Sequence, residues 1–222
     1  MKPKDILPSD YSDRIDDILD ASWRIFKTQF VEGLYEVTKE APFQHHFANI
    51  ISVIGSTYCT KQSDIFFVNL EKKVEYLDGK KKYLDITCEF QSQENKTNAK
   101  AAIELKFKTK KQGAQDHGRI DAFVDIEALE NAKDFHSFSK ARFYMITDSE
   151  TYLKKSKKGV GTKFTTYDGA KTKFDSDFHC PSSKGRENTK VHLNASYCFE
   201  WEKIGMINNN IKDYWYFLEL RI

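Results

Sequence analysis

Tyr83-Leu84-Asp85-Ile86-Thr87-Cys88-Glu89-Phe90 and Ala101-Ala102-Ile103-Glu104-Leu105-Lys106-Phe107 are the two stretches whose reading decides the fold. Both alternate branched or aromatic residues with polar ones, the pattern of strands. The polar stretch between them, residues 91–100, predicts a hairpin loop with frayed strand ends. A hairpin folded symmetrically about Glu94 and Asn95 sets Asp85 opposite Glu104. Cross-strand neighbours have Cβ atoms roughly 4.5–5.5 Å apart. Lys106 lies two residues beyond Glu104, so it projects from the same face of its strand. Two acids and a lysine therefore converge on one patch of an apolar sheet.

That patch has a chemical meaning. Adjacent like charges are unfavourable unless a cation bridges them or one is protonated. Carboxylate oxygens are hard ligands that suit Mg²⁺, which binds through one or two carboxylates plus substrate phosphates. Mn²⁺ substitutes on the same ligand chemistry. A lysine beside such a centre can orient or deprotonate a water and stabilise a phosphate in transition. The combination reads as metal-assisted phosphodiester hydrolysis.

Asp85, then 18 residues, then Glu104-Leu105-Lys106 resembles the PD-(D/E)XK nuclease superfamily, to which many type II restriction endonucleases belong. The resemblance spans roughly residues 36–147, and Leu84 stands where the family usually has proline before the aspartate. It implies an α/β fold with a restriction-endonuclease-like core, a mixed central β-sheet flanked by helices. It further implies a Mg²⁺-dependent endonuclease that hydrolyses double-stranded DNA, most simply a site-specific restriction endonuclease. Asp85 and Glu104 would bind the metal, the Leu105 carbonyl would add a ligand, and Lys106 would position or activate the water. Cutting two strands with so short a chain implies a homodimer on a palindromic site, with residues 11–38 as a candidate dimer surface. The alternatives are a repair or phage-defence nuclease of the same superfamily, or a non-catalytic DNA-binding module.

Composition agrees with one folded domain. The 222 residues are 40% apolar and include 17 Phe, enough for a sizeable core. The formal net charge of +2 neither demands nor excludes DNA. No stretch approaches the ~20 apolar residues of a membrane span, and the start of the chain lacks an apolar signal region. Cys59, Cys88, Cys180 and Cys198 form no C-x-x-C pair and read as free thiols of a cytoplasmic protein.

Residues 11–38 predict a helical region capped by Ser12, with Gly33 interrupting it and Pro42 ending the pattern. A second helix is expected from Gln44 to about Tyr58. Residues 65–70 and 73–77 read as strand or hairpin, with Asp78-Gly79 as a turn. A helix over residues 114–131 and a strand over 141–147 complete a βαβ unit with the Glu104 strand. Residues 148–189 are polar and turn-prone, and strands are expected near 191–201 and 214–221.

Further residues could serve the site. Glu40, placed with Glu36 near the end of the first helical region, is the candidate additional acid. Gln115, opening the third helix, could touch a phosphate, and Asp116 could cap that helix. Asp64 is the rival first acid. His45 and His46 are adjacent and so diverge on a helix. Lys108, Lys110, Lys111 and Arg119 add positive charge around His117, next to Gly113 and a helix N-terminus. Lys154, Lys155, Lys157 and Lys158 form a second basic stretch suited to a DNA backbone.

Overall fold

The computed structural model describes residues 7–75, 81–92, 97–180, 183–205 and 214–222. Helix α1 spans Tyr11–Val31 and helix α2 spans Glu40–Thr57. Ser12 does not cap α1: Asp10 does, accepting from the backbone N–H groups of Ser12 and Asp13. The expected region 11–38 ends early, at Val31, because Gly33 takes a left-handed φ of 72° and turns the chain. Pro42 does not end a helix. It sits in the first turn of α2, where the missing N–H has no intrahelical partner to lose.

Strands β1 (Asp64–Glu75), β2 (Lys81–Ser92) and β3 (Thr97–Lys108) form an antiparallel meander. The expected turn at Asp78-Gly79 and the hairpin apex at Glu94 and Asn95 lie outside the described residues. The β2–β3 register runs from Ser92↔Thr97 to Ile86↔Ile103, the diagonal of a hairpin symmetrical about Glu94 and Asn95. Helix α3 (Gln115–His136) follows, then β4 (Lys140–Thr147), which pairs parallel to β3. Short strands β5 (Ala170–Lys171), β6 (Ser176–His179), β7 (Lys190–Leu193) and β8 (Cys198–Phe199) form two small two-stranded sheets. Strands β9 (Trp201–Gly205) and β10 (Tyr214–Arg221) complete a six-stranded mixed sheet of order β1-β2-β3-β4-β10-β9. The single strand expected near 191–201 is thus three short ones. Glu130 of α3 draws this segment away by accepting from Asn194 N, Ala195 N and the Tyr197 hydroxyl.

Two apolar clusters cover the two faces of the sheet. Phe26, Phe30, Phe43 and Phe47 of α1 and α2 pack on Ile103, Leu105 and Phe107 of β3. On the other face, Ile120, Phe123, Ile126 and Leu129 of α3 pack with Ala102, Phe143 and Met145. Each fully buried phenylalanine contributes roughly 1.5–3 kcal/mol. The protein is therefore α/β, with a mixed sheet between helices on both faces. No helix among the described residues is long and apolar enough to cross a membrane. All four cysteines are free.

Candidate active site

The two apolar strands part where the acids begin. The β2–β3 ladder stops at Ile86↔Ile103, although β2 continues back to Lys81 alongside β1. At the break, the in–out alternation of β2 slips: Ile86 packs on the α1–α2 face, whereas Leu84 packs on the α3 face. The neighbouring strand yields at the same level. Glu71 of β1 is left out of the ladder between Leu70↔Ile86 and Lys72↔Leu84, with a φ of 53°. A left-handed conformation at a residue other than glycine is strained and persists only where its surroundings impose it. Gln44 of α2 spans the gap, donating from Nε2 to the Asp85 carbonyl at 2.7 Å and to Glu71 Oε1 at 2.8 Å.

The departure of β2 leaves this stretch of one edge of β3 without a strand partner among the described residues. Its Leu105 N–H donates to Asp85 Oδ2 at 2.7 Å, and its Phe107 N–H donates to Glu40 Oε2 at 3.2 Å. Two carboxylates thus take the place of a backbone ladder. The ladder stops one step short of Asp85 and Glu104, which the hairpin symmetry sets opposite each other; their backbones are not paired, and Asp85 reaches β3 through its side chain at the Leu105 N–H. Glu40 belongs to this cluster, but it opens α2 and does not end the first helix. That placement lets it reach the strand edge.

Lys106 is 8% exposed and Glu104 is 1% exposed. The Lys106 ammonium lies 2.5 Å from Asp125 Oδ2 and 3.7 Å from Glu40 Oε1, and it donates to the Leu105 carbonyl at 3.0 Å. Lys82 Nζ lies 2.7 Å from Asp125 Oδ1 and 3.4 Å from Glu104 Oε1. Sequence reasoning missed Lys82 and Asp125. Asp125 did carry a signal, as a charged residue between Val124 and Ile126 in an apolar helix. Lys82 carried none, because its role depends on the slip in β2.

The electrostatics follow from burial. Desolvation pushes the Asp85 carboxyl up to about 6, aided by Glu40 and Asp125 and opposed by Lys106 and the Leu105 N–H. Burial raises Glu104 well above the usual carboxylate range, with Asp125 and Asp85 adding to the shift. Burial works to lower Lys106, but the four carboxylates around it more than reverse this and hold it charged. Asp125 and Glu104 do the same for Lys82.

Among the described residues, no three His, Cys, Asp or Glu side chains are gathered closely enough to hold a metal ion. The donor set still suits a hard divalent cation. Four carboxylates (Glu40, Asp85, Glu104 and Asp125) face two ammonium groups (Lys82 and Lys106), which leaves a formal excess of two negative charges. Glu104 Oε1 is buried without a hydrogen bond. One divalent cation would balance that excess. The Leu105 carbonyl, expected as a ligand, here accepts from Lys106.

The remaining candidates fall elsewhere. Gln115 is half-buried at the start of α3 and makes no hydrogen bond to the cluster among the described residues. Asp116 does not cap α3, whose N-cap is Ala114 in a left-handed conformation. Asp64 is structural: it accepts from the Tyr11 hydroxyl and from Thr60 N and Lys61 N, and it pairs with Arg14. His46 stacks on Tyr35 at 4.0 Å. Arg119 is not a surface cation; it is 1% exposed and donates to the Thr151 carbonyl. Lys110 and Lys111 are exposed in a short 3-10 turn after β3. Lys154, Lys155, Lys157 and Lys158 are exposed on the loop after β4, where Lys154 pairs with Glu150.

Comparison with known proteins returns no match: no family model, no curated protein and no solved structure is similar to this chain.

Proposed function

We propose that this chain is a metal-dependent phosphodiesterase, and within that class a Mg²⁺-dependent endonuclease of double-stranded DNA. The observation that carries the reading is the Lys106–carboxylate cluster at the open edge of β3. Hard oxygen ligands and a buried ammonium group meet there beside the partly exposed Glu40 carboxylate. Asp85 and Glu104 would hold the cation, with Glu40 beside them. Bound there, the cation supplies charge neutralisation at the phosphoryl group and an acidified water.

The protein's own share falls to Lys106. Its neighbours keep it protonated, so it acts as a donor and not as a base in this arrangement. From Nζ it can donate to a phosphate oxygen or to the attacking water. Asp125 orients that ammonium, and Lys82 keeps Asp125 from carrying an unbalanced charge. When Lys106 turns toward a phosphate, the Leu105 carbonyl is released. Lys110, Lys111, Lys154, Lys155, Lys157 and Lys158 would contact the DNA backbone.

The finer reading is a type II restriction endonuclease of the PD-(D/E)XK superfamily with a restriction-endonuclease-like core. It rests on the order Asp85, Glu104, Lys106 and on the succession β2-β3-α3-β4. A homodimer on a palindromic site follows from the need to cut two strands. A second reading, a nucleic-acid-binding module with a structural acid cluster, has one observation in its favour. Glu40, Asp85, Glu104 and Asp125 each already have an intramolecular partner.

Plasmid cleavage with Mg²⁺, beside EDTA and Lys106→Ala controls, separates these readings. Discrete fragments that vanish in both controls support the restriction reading. A metal-dependent smear keeps the chemistry and removes the site specificity. DNA binding without cleavage at any Mg²⁺ concentration moves the assignment to the binding module.

A further inference from the structure

A cavity of about 540 Å³ opens beside the cluster, at the C-terminal end of β3. Its size lies within the roughly 300–1,000 Å³ of small-ligand sites. Val37, Phe107 and Trp215 form its apolar wall, and Lys39 and Lys111 line it as exposed cations. We propose that this cavity receives one unstacked nucleobase of a bound nucleic-acid strand, laid on Trp215, while Lys39 and Lys111 face the flanking phosphates. The proposal rests on the nucleic-acid reading above and names a subsite of it.

Three observations select this occupant. The first is the wall. Trp215 stacks on Phe107 with ring centroids 5.4 Å apart and 28° between planes. Phe107 is 2% exposed, so the part-exposed Trp215 is the ring a ligand meets. A nucleobase has apolar faces and polar edges, and Thr38 and Asp148 line the same cavity. The second is charge. Lys39 and Lys111 outnumber Asp148, the one carboxylate in the lining, and a nucleotide brings phosphate to that positive excess where an aliphatic ligand brings none. The third is position. Phe107 follows Lys106 and Lys39 precedes Glu40, and Glu40 Oε2 is bonded to Phe107 N at 3.2 Å. Glu40 Oε1 also lies 3.7 Å from Lys106 Nζ, so this one side chain reaches both the ammonium group and the strand edge that carries the cavity wall. Lys106 and Phe107 project from opposite faces of β3, so a strand with a phosphate at Lys106 meets the cavity mouth by passing round the Glu40 edge.

The test uses the full chain in EDTA with a fluorescein-labelled oligonucleotide, single-stranded and duplex, read by anisotropy and by tryptophan emission. Stacking on Trp215 quenches the wild-type emission. Trp215→Phe keeps a stacking ring and removes the reporter: the quench disappears and the Kd stays within about twofold. Trp215→Ala, shown to be folded by circular dichroism, binds about tenfold more weakly, the usual scale of one stacked base. Quenching that persists in Trp215→Phe overturns the proposal, because the signal then comes from Trp23 or Trp201. So does a folded Trp215→Ala that binds as the wild type does. If the wild type cleaves plasmid while Trp215→Ala keeps its affinity, only the subsite falls. If the wild type binds no oligonucleotide, the subsite and the nucleic-acid reading fall together.

Discussion

Removing the charge of Asp85 is expected to stabilise the metal-free protein. The folded carboxyl is pushed up to about 6, against roughly 3.9 in an unfolded chain. That gap is about two units at about 1.4 kcal/mol each, hence about 3 kcal/mol at most. The sign follows from proton binding. Between about pH 4 and pH 6 the folded chain holds a proton on Asp85 that the unfolded chain has lost. Stability therefore falls as pH rises through that window, and the full cost is present at pH 8. Asn carries no charge and still offers an oxygen to the Leu105 N–H that Asp85 now binds at 2.7 Å. Allowing for the part exposure of Asp85, Asp85→Asn should gain about 2 kcal/mol at pH 8 in EDTA, or roughly 4–8 °C in Tm for a chain of this size. Thermal unfolding followed by circular dichroism reads the shift. The gain should shrink to near zero at about pH 3, where Asp85 is neutral in both states. Mg²⁺ should raise the Tm of the wild type and leave Asp85→Asn almost unmoved. An Asp85→Asn protein that is less stable at pH 8, or whose gain ignores pH, would refute the view of Asp85 as a destabilised carboxylate waiting for a cation.

Asp125→Ala removes the shared partner of two buried ammonium groups. It should cost about 3–5 kcal/mol in urea unfolding, and an unchanged midpoint would show that Lys82 and Lys106 re-pair freely. Cleavage at limiting Mg²⁺ should fall as pH drops below about 6, the range in which Asp85 protonates; a flat profile from pH 5 to 8 would exclude Asp85 as a ligand. Replacing Lys154, Lys155, Lys157 and Lys158 together by Ala should leave Tm unchanged, since all four are exposed. It should reduce the slope of log K against log salt by up to about 3–4 if all four touch phosphate, and an unaltered slope would place the DNA elsewhere. Phe123→Ala deletes a ring packed on Phe164, Phe178 and Phe199. It should lower stability by about 3–5 kcal/mol, and a loss under 1 kcal/mol would mean that the α3 face repacks around the gap.

The sequence by itself determined the strands β2, β3, β4 and β10, the helix α3 and the β2–β3 register as far as Ile86↔Ile103. These are local matters: alternation with a period of two fixes which residues share a strand face, and a short hairpin fixes its own register. It also showed Glu104 and Lys106 on one face, the face that α3 covers. Element ends were less legible, because Asp10 and Ser12 are comparable cap residues and backbone geometry chose between them. Only the tertiary structure decided the rest of the site. The slip of β2 at Asp85 is imposed from outside the strand, by Gln44 and by the strained Glu71. That slip frees the edge of β3, and the freed N–H groups recruit Asp85 and Glu40. It also turns Lys82 toward α3, where Asp125 holds it together with Lys106. These partners lie from about twenty to more than sixty positions apart in the chain. Periodicity carries no information across such distances, because the pairing is set by packing and by the cost of leaving a buried charge or N–H group unmatched.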